Sequence, residues 1–126
     1  MKKPVFVSAQ DAAAMIGDGK TVATIGMTLV SASETILKAI EKRFLETGSP
    51  NQLTLVHSCG QSDRDRGIQH FSHDGMLKCI IGGHWGLQPR MMKMIAENKM
   101  LAYCLPQGQF AQLYRSMAGG EPGKIT

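Results

Sequence analysis

Two kinds of apolar pattern alternate along this chain. Short aliphatic and β-branched blocks, bounded by glycine, proline or serine, run from Thr21 to Gly26, Leu53 to Ser58, Leu77 to Gly82 and Met100 to Leu105. They are apolar on both faces, which is the pattern of strands buried in a parallel sheet. Between them the period lengthens to that of a helix. Ile36, Leu37, Ile40, Phe44 and Leu45 recur at helical spacing, with Lys38, Glu41, Lys42 and Glu46 on the opposite face. Met91, Met94, Ile95 and Asn98 line a second helix, and Phe110, Leu113, Tyr114 and Met117 a third. A short alanine-rich helix opens the chain behind Ser8, which is placed as an N-cap, and reaches Ile16.

Punctuation supports these boundaries. Ser31 or Ser33 caps the Ile36 helix, and Thr47, Gly48, Ser49 and Pro50 stop it. Pro89 sits where a first-turn proline is tolerated, and Pro106, Gln107 and Gly108 end the last strand. Cys59 to Gly67 (CGQSDRDRG) is the most polar segment and reads as a loop, with one or two helical turns expected between Ile68 and Asp74. Strands alternating with helices predict an α/β fold: an open, mainly parallel sheet with right-handed crossovers and helices on both faces, a Rossmann-like three-layer arrangement. Gly26, Ser58, Gly82 and Gln107 then lie along one edge, the edge where open sheets bind ligands.

The stretch Leu77 to Arg90 (LKCIIGGHWGLQPR) focuses attention on that edge. Gly82 and Gly83 cut an apolar strand, and His84, Trp85 and Gly86 follow; Trp85 is the single tryptophan. The glycines mark either a close approach of backbone to ligand or a tight turn with positive φ, with Trp85 covering the core edge. The sequence leaves both readings open.

Size and composition narrow the class. A chain of 126 residues and 13.7 kDa makes one domain with its own core. No apolar run is long enough to span a bilayer, and the start, MKKPVFVSAQ, has neither the apolar stretch nor the cleavage site of an export signal, so a cytoplasmic protein with no membrane partner is expected. Cys59, Cys79 and Cys104 are odd in number and lie in or beside apolar runs, which suits reduced, buried thiols. The net charge is +4, but basic residues are scattered among acids without spaced aromatics, which argues against nucleic acid. An anionic small molecule suits this mild positive balance.

Motif chemistry is thin. Gly26 and the serines after it resemble an anion site at a helix start, yet neither GxGxxG nor GxxxxGK[ST] occurs. His57 with Cys59, and His70 with His73, are metal-ligand types at spacings that match no recurrent zinc pattern, so no metal is assigned. No GxSxG elbow is present, and the cysteines lack an assigned histidine partner. Asp63, Arg64, Asp65 and Arg66 read as a solvated, self-paired surface.

Taken together, SAQDAAAMIGDGKTVATIG, SDRDRGIQHF, GGHWGLQPR and LPQGQFAQLYRSMAGGEPG resemble the amino-terminal domain of family I coenzyme A transferases, of the acetate/propionate or acyl-CoA:acetate/3-keto acid type. The resemblance implies a CoA-transferase-like α/β domain over residues 1–126, incomplete, with the carboxyl-terminal catalytic domain absent. It implies an enzyme that moves CoA from an acyl-CoA to a free carboxylate through a glutamyl-CoA thioester, with CoA as substrate and no cofactor. The nucleophilic glutamate belongs to the missing domain, so Glu34, Glu41, Glu46, Glu97 and Glu121 do not inherit that role and no catalytic residue is expected here. The implied substrate-binding residues are Gly26, Met27, Thr28, Gly82, Gly83, His84, Trp85, Gly86, Gln107 and Gly108. The implied partners are an acyl-CoA, a short-chain carboxylate, the missing domain or subunit, and further copies in a homo- or hetero-oligomer. Met27, Thr28, Leu29 and Val30 stand where many members carry a glycine-rich loop, which implies a differently shaped acyl pocket. A non-catalytic α/β module that binds CoA or another acidic small molecule is the alternative.

Overall fold

The computed structural model describes residues 4–123, with residues 1–3 and 124–126 outside the described residues. Its order is α1 (Ala9–Ala14), β1 (Thr21–Thr24), α2 (Glu34–Thr47), β2 (Leu53–His57), a 3-10 helix (Gly67–Phe71), β3 (Leu77–Gly82), α3 (Pro89–Ala96), β4 (Leu101–Cys104) and α4 (Gln107–Ala118). The strands form one sheet in the order β1-β2-β3-β4, and every neighbouring pair is parallel. This is the α/β fold that the alternating pattern predicts, and parallel pairing puts all four strand ends on one edge.

Register sets the core. Val22, Leu55, Ile80 and Ala102 lie side by side across the sheet and all belong to or pack on the main apolar cluster. Leu37 and Ile40 of α2, Met91 and Met94 of α3, and Ile68 and Phe71 of the 3-10 helix join it. Fully burying an aliphatic or aromatic side chain stabilises by about 1.5–3 kcal/mol, so this cluster is the main force holding helices to sheet. Phe110 of α4 is fully buried outside the cluster.

Helix ends follow local chemistry. Ser8 caps α1 as expected, its hydroxyl accepting the Asp11 N–H at 3.1 Å. Ser33 precedes α2 without a side-chain cap bond, and Gly48 closes that helix at φ 74°. Arg43 of α2 donates to the carbonyls of Ala13 (2.9 Å) and Ile16 (2.7 Å), satisfying acceptors that the end of α1 leaves open.

Three expectations need correction. β1 ends at Thr24, and Gly26 lies beyond it in a loop closed by the Met27–Val30 bridge. Gln107 and Gly108, placed in the break after the last strand, are the first turn of α4, because Pro106 presets the entry and nothing competes with the helix there. The thiols are all free, but only Cys59 is buried; Cys104 is exposed because it ends β4, an edge strand.

Candidate functional site

The loop after β2 ties the edge together. Gly60 accepts the Thr28 N–H at 2.7 Å, and the Cys59 thiol donates to the Gly26 carbonyl at 2.8 Å, so the loop after β1 is fastened to it. The loop after β1 is itself strained: Gly26 has φ 133°, and the non-glycine residues Thr28 and Ser31 have φ 52° and 64°. A Cβ at Gly26 would lie 2.7 Å from the Val30 carbonyl, so this position needs glycine on both counts. On the other side, Leu105 donates to the Gly82 carbonyl at 3.1 Å, joining the ends of β3 and β4.

His57, at the end of β2, is fully buried. Its Nδ1–H donates to the Cys59 carbonyl at 2.8 Å, which leaves Nε2 to accept the Trp85 indole N–H at 3.0 Å. Burial pushes this imidazole below its usual range, against the bond to Cys59, and nearby His84 acts in the same direction. His57 is therefore a neutral strut beneath the glycine turn, with both ring nitrogens occupied.

That strut explains the glycines. None of Gly82, Gly83 and Gly86 has positive φ, contrary to the turn reading. A Cβ at Gly82 would overlap His57 Nε2 and sit 2.6 Å from the Trp85 indole nitrogen; at Gly83 it would overlap the Ser58 carbonyl; at Gly86 it would come 2.7 Å from the His84 ring. Protein atoms fill the space beside these glycines. Trp85 is half-buried against the core, as a cover for its edge.

Two buried amides complete the frame. Gln61 donates through Nε2 to the Thr24 carbonyl at 3.0 Å. Gln88, with its amide turned to satisfy its neighbours, donates to the carbonyls of His84 (3.2 Å) and Trp85 (3.0 Å) and accepts the Gln61 N–H at 3.1 Å. Nothing in the sequence pattern singles out Gln88, and Gln61 lies in the polar segment that reads as a loop. That segment is solvated at Asp63 to Arg66 and buried at Gln61 and Ser62. Asp63 and Arg66 pair as expected, and the Arg66 backbone N–H and guanidinium hold the Asp63 carboxyl down at about 2.

Among the residues assigned to substrate, the edge brings together Gly26, Met27, Thr28 and the turn Gly82–Gly86, with Gln107 and Gly108 a short step beyond β4. Met27, Thr28, His84, Gly86, Gln107 and Gly108 are exposed; Gly82 is buried. Behind the β1 loop lies a cleft of about 200 Å³ lined by Ile16, Val22, Thr24, Ile36 and Gln61, and the Thr24 hydroxyl is buried there without a partner. Among the described residues, no group of three or more His, Cys, Asp or Glu is arranged to hold a metal.

In open parallel α/β sheets, ligands bind outside the carboxyl ends of the strands, at an edge like this one. No family model matches the chain. It is 37% identical over 122 residues to the caffeate CoA-transferase of Acetobacterium woodii and 34% identical over 122 residues to the acetate CoA-transferase YdiF of Escherichia coli K12. These matches take in 96% and 95% of this chain but 23% of each relative. The solved apoenzyme of YdiF from Escherichia coli O157:H7 superposes with a TM-score of 0.90 at 32% identity, over all of this chain and 26% of that one. A YdiF thioester complex with CoA gives 0.88 at 34%, over 95% of this chain and 25% of that one. The chain is similar to CoA-transferases over a segment of about a quarter of their length, the same family that its motifs resemble.

Proposed function

We propose that this chain is the amino-terminal part of a cytoplasmic, oligomeric CoA-transferase that moves CoA between a short-chain acyl-CoA and a carboxylic acid such as acetate, propionate or a 3-keto acid. The observation that carries this reading is the match of 95% of the chain to an acetate CoA-transferase, with the same fold in a CoA thioester complex of that enzyme. In the proposed reaction a glutamate outside this chain attacks the acyl-CoA carbonyl and expels CoA thiolate. The thiolate then attacks the acyl-glutamyl anhydride, releasing the first carboxylate and leaving a glutamyl-CoA thioester; the acceptor acid reverses both steps. Each step passes through a tetrahedral oxyanion that needs preorganised donors. In this scheme the β1 loop, the Gly82–Gly86 turn and the start of α4 (Gln107, Gly108) shape the acyl and thioester end of the site.

Acyl-CoA is added to the native-length polypeptide, followed by borohydride, which reduces an enzyme thioester, and the peptides are mapped by mass. The expected reduced residue is a glutamate outside residues 1–126, with no exchange of label between acetyl-CoA and acetate by the 126 residues alone. Reduction at one of the five glutamates of this chain would overturn that assignment. Saturable CoA binding without any thioester would favour the non-catalytic module.

A further inference from the structure

Glu34 opens α2 and Glu41 lies two turns along the same face. The 3-10 helix crosses this face and places His70, 7% exposed, between the two carboxylates. Its Nδ1 is 2.5 Å from Glu41 Oε2 and its Nε2 is 2.9 Å from Glu34 Oε1. Glu34 Oε2 also accepts the Gly67 N–H at 2.9 Å. An ionised carboxylate has no proton to give, so both ring nitrogens must donate, and only the imidazolium carries two N–H groups.

Other basic groups surround the same pair of carboxylates. From α2, Lys38 stands 3.5 Å from Glu34; beyond the 3-10 helix, His73 Nε2 is 2.6 Å from Glu41 Oε1. Arg66, just before the 3-10 helix, is engaged by Asp63. α3 turns Met91 and Met94 toward the core, while its Arg90 reaches the Asp65 carbonyl and its Lys93 pairs with Glu97. Burial opposes ionisation of Glu34 and Glu41, yet hydrogen bonds from His70, with Gly67 on Glu34 and His73 on Glu41, hold both carboxyls below their usual range.

We propose that His70 is a proton-held clasp: as imidazolium it bonds Glu34 and Glu41 together and docks the 3-10 helix, with the end of the Cys59–Gly67 loop, onto α2. Loss of the proton leaves a lone pair on Nε2 facing the Glu34 carboxylate, and that arm opens. Through Gly67 the clasp reaches the loop that fastens the strand-end edge, whatever ligand that edge takes.

Long-range proton–nitrogen NMR on the 126-residue chain reads the two His70 ring nitrogens directly. Both are expected to carry hydrogen at neutral pH. Raising the pH from about 6 to about 9, across the range where a histidine switches, should lower the protection factor of the Gly67 amide about tenfold, after correction for base-catalysed exchange. His73→Gln, whose ring bonds Glu41 and not Glu34, should keep that response; His70→Gln should show weak Gly67 protection at both pH values. A single-proton His70 tautomer at neutral pH, or Gly67 protection that does not change with pH in the parent chain, would overturn the clasp even if His70→Gln failed to fold.

Discussion

Gly83→Ala and Gly108→Ala make the same chemical change at two positions assigned to substrate, and the structure predicts opposite outcomes. At Gly83 the new methyl overlaps the Ser58 carbonyl oxygen and sits 3.1 Å from the Ser58 carbonyl carbon and 3.5 Å from the Leu105 oxygen. These are backbone atoms at the ends of β2 and β4, so relief requires moving strand ends. Overpacking of this kind costs about 1–3 kcal/mol, and disturbing the neighbouring Leu105 to Gly82 hydrogen bond adds about 1 kcal/mol, giving about 2–4 kcal/mol. At about 3–4 °C per kcal/mol for a chain of this size, the melting temperature should fall by about 10 °C. At Gly108 nothing lies within 4 Å and φ is not positive, so alanine in the first turn of α4 should be neutral or stabilise by up to about 0.5 kcal/mol. Thermal and urea unfolding of both variants, followed by circular dichroism, makes the comparison. An unchanged melting temperature for Gly83→Ala would refute the packing argument and return the glycine turn to the close-approach reading.

His57→Phe keeps bulk but removes the acceptor for the Trp85 indole and a bond to Cys59, so it should cost about 2 kcal/mol and shift the emission of the sole tryptophan, measured by fluorescence and urea unfolding. The carboxyls of Glu34, Glu41, Asp18 and Asp63 are lowered in the folded state, so it binds fewer protons than the unfolded chain; their stabilisation is present above the usual carboxylate values and is lost as pH falls from about 4.5 toward about 2. The urea midpoint should drop across that window, and Glu41→Gln should flatten the drop. β4 is an edge strand with Leu101 61% and Tyr103 53% exposed, and the chain should self-associate in sedimentation; Leu101→Lys with Tyr103→Lys should shift it toward monomer without lowering the melting temperature.

The periodic parts of this fold were legible because each rests on local chemistry. Alternating strand and helix patterns, the Ser8 cap, the Gly48 stop and Pro89 at the start of α3 all specify their elements without long-range help. Convergence of the strand ends followed from parallel order. What stayed hidden depends on contacts between distant residues. Whether a glycine faces ligand or protein is decided by its spatial neighbour, and the neighbours of Gly82 and Gly83 are His57 and Ser58, more than twenty residues away in sequence. His57 reads in the sequence as a candidate metal ligand or as a satisfied or solvent-exposed histidine, and its role becomes clear only with Trp85 placed above it. The same holds for His70, whose carboxylate partners lie on α2.

These hidden contacts bear on what the edge can contribute to chemistry. His57, Gln61, Gln88 and the Cys59 thiol all spend their hydrogen-bonding capacity within the chain, building a rigid frame whose outward groups are Thr28, His84 and Gln107. Among the described residues, four of the five glutamates are paired away from this edge. Glu34 and Glu41 are held by His70, Glu46 pairs with Lys42, and Glu97 with Lys93 and Lys99. Glu121 follows α4, about 18 Å of helix from Gln107. An acyl exchange through a glutamyl thioester needs a carboxylate within bonding reach of the thioester carbonyl, and rigidity here cannot supply one. Under the proposed function, this frame holds substrate still while a nucleophile from outside residues 1–126 attacks, and that proposal predicts that mutations at Thr28, His84 or Gln107 alter substrate selection more than those at the buried struts, whose loss shows first as instability.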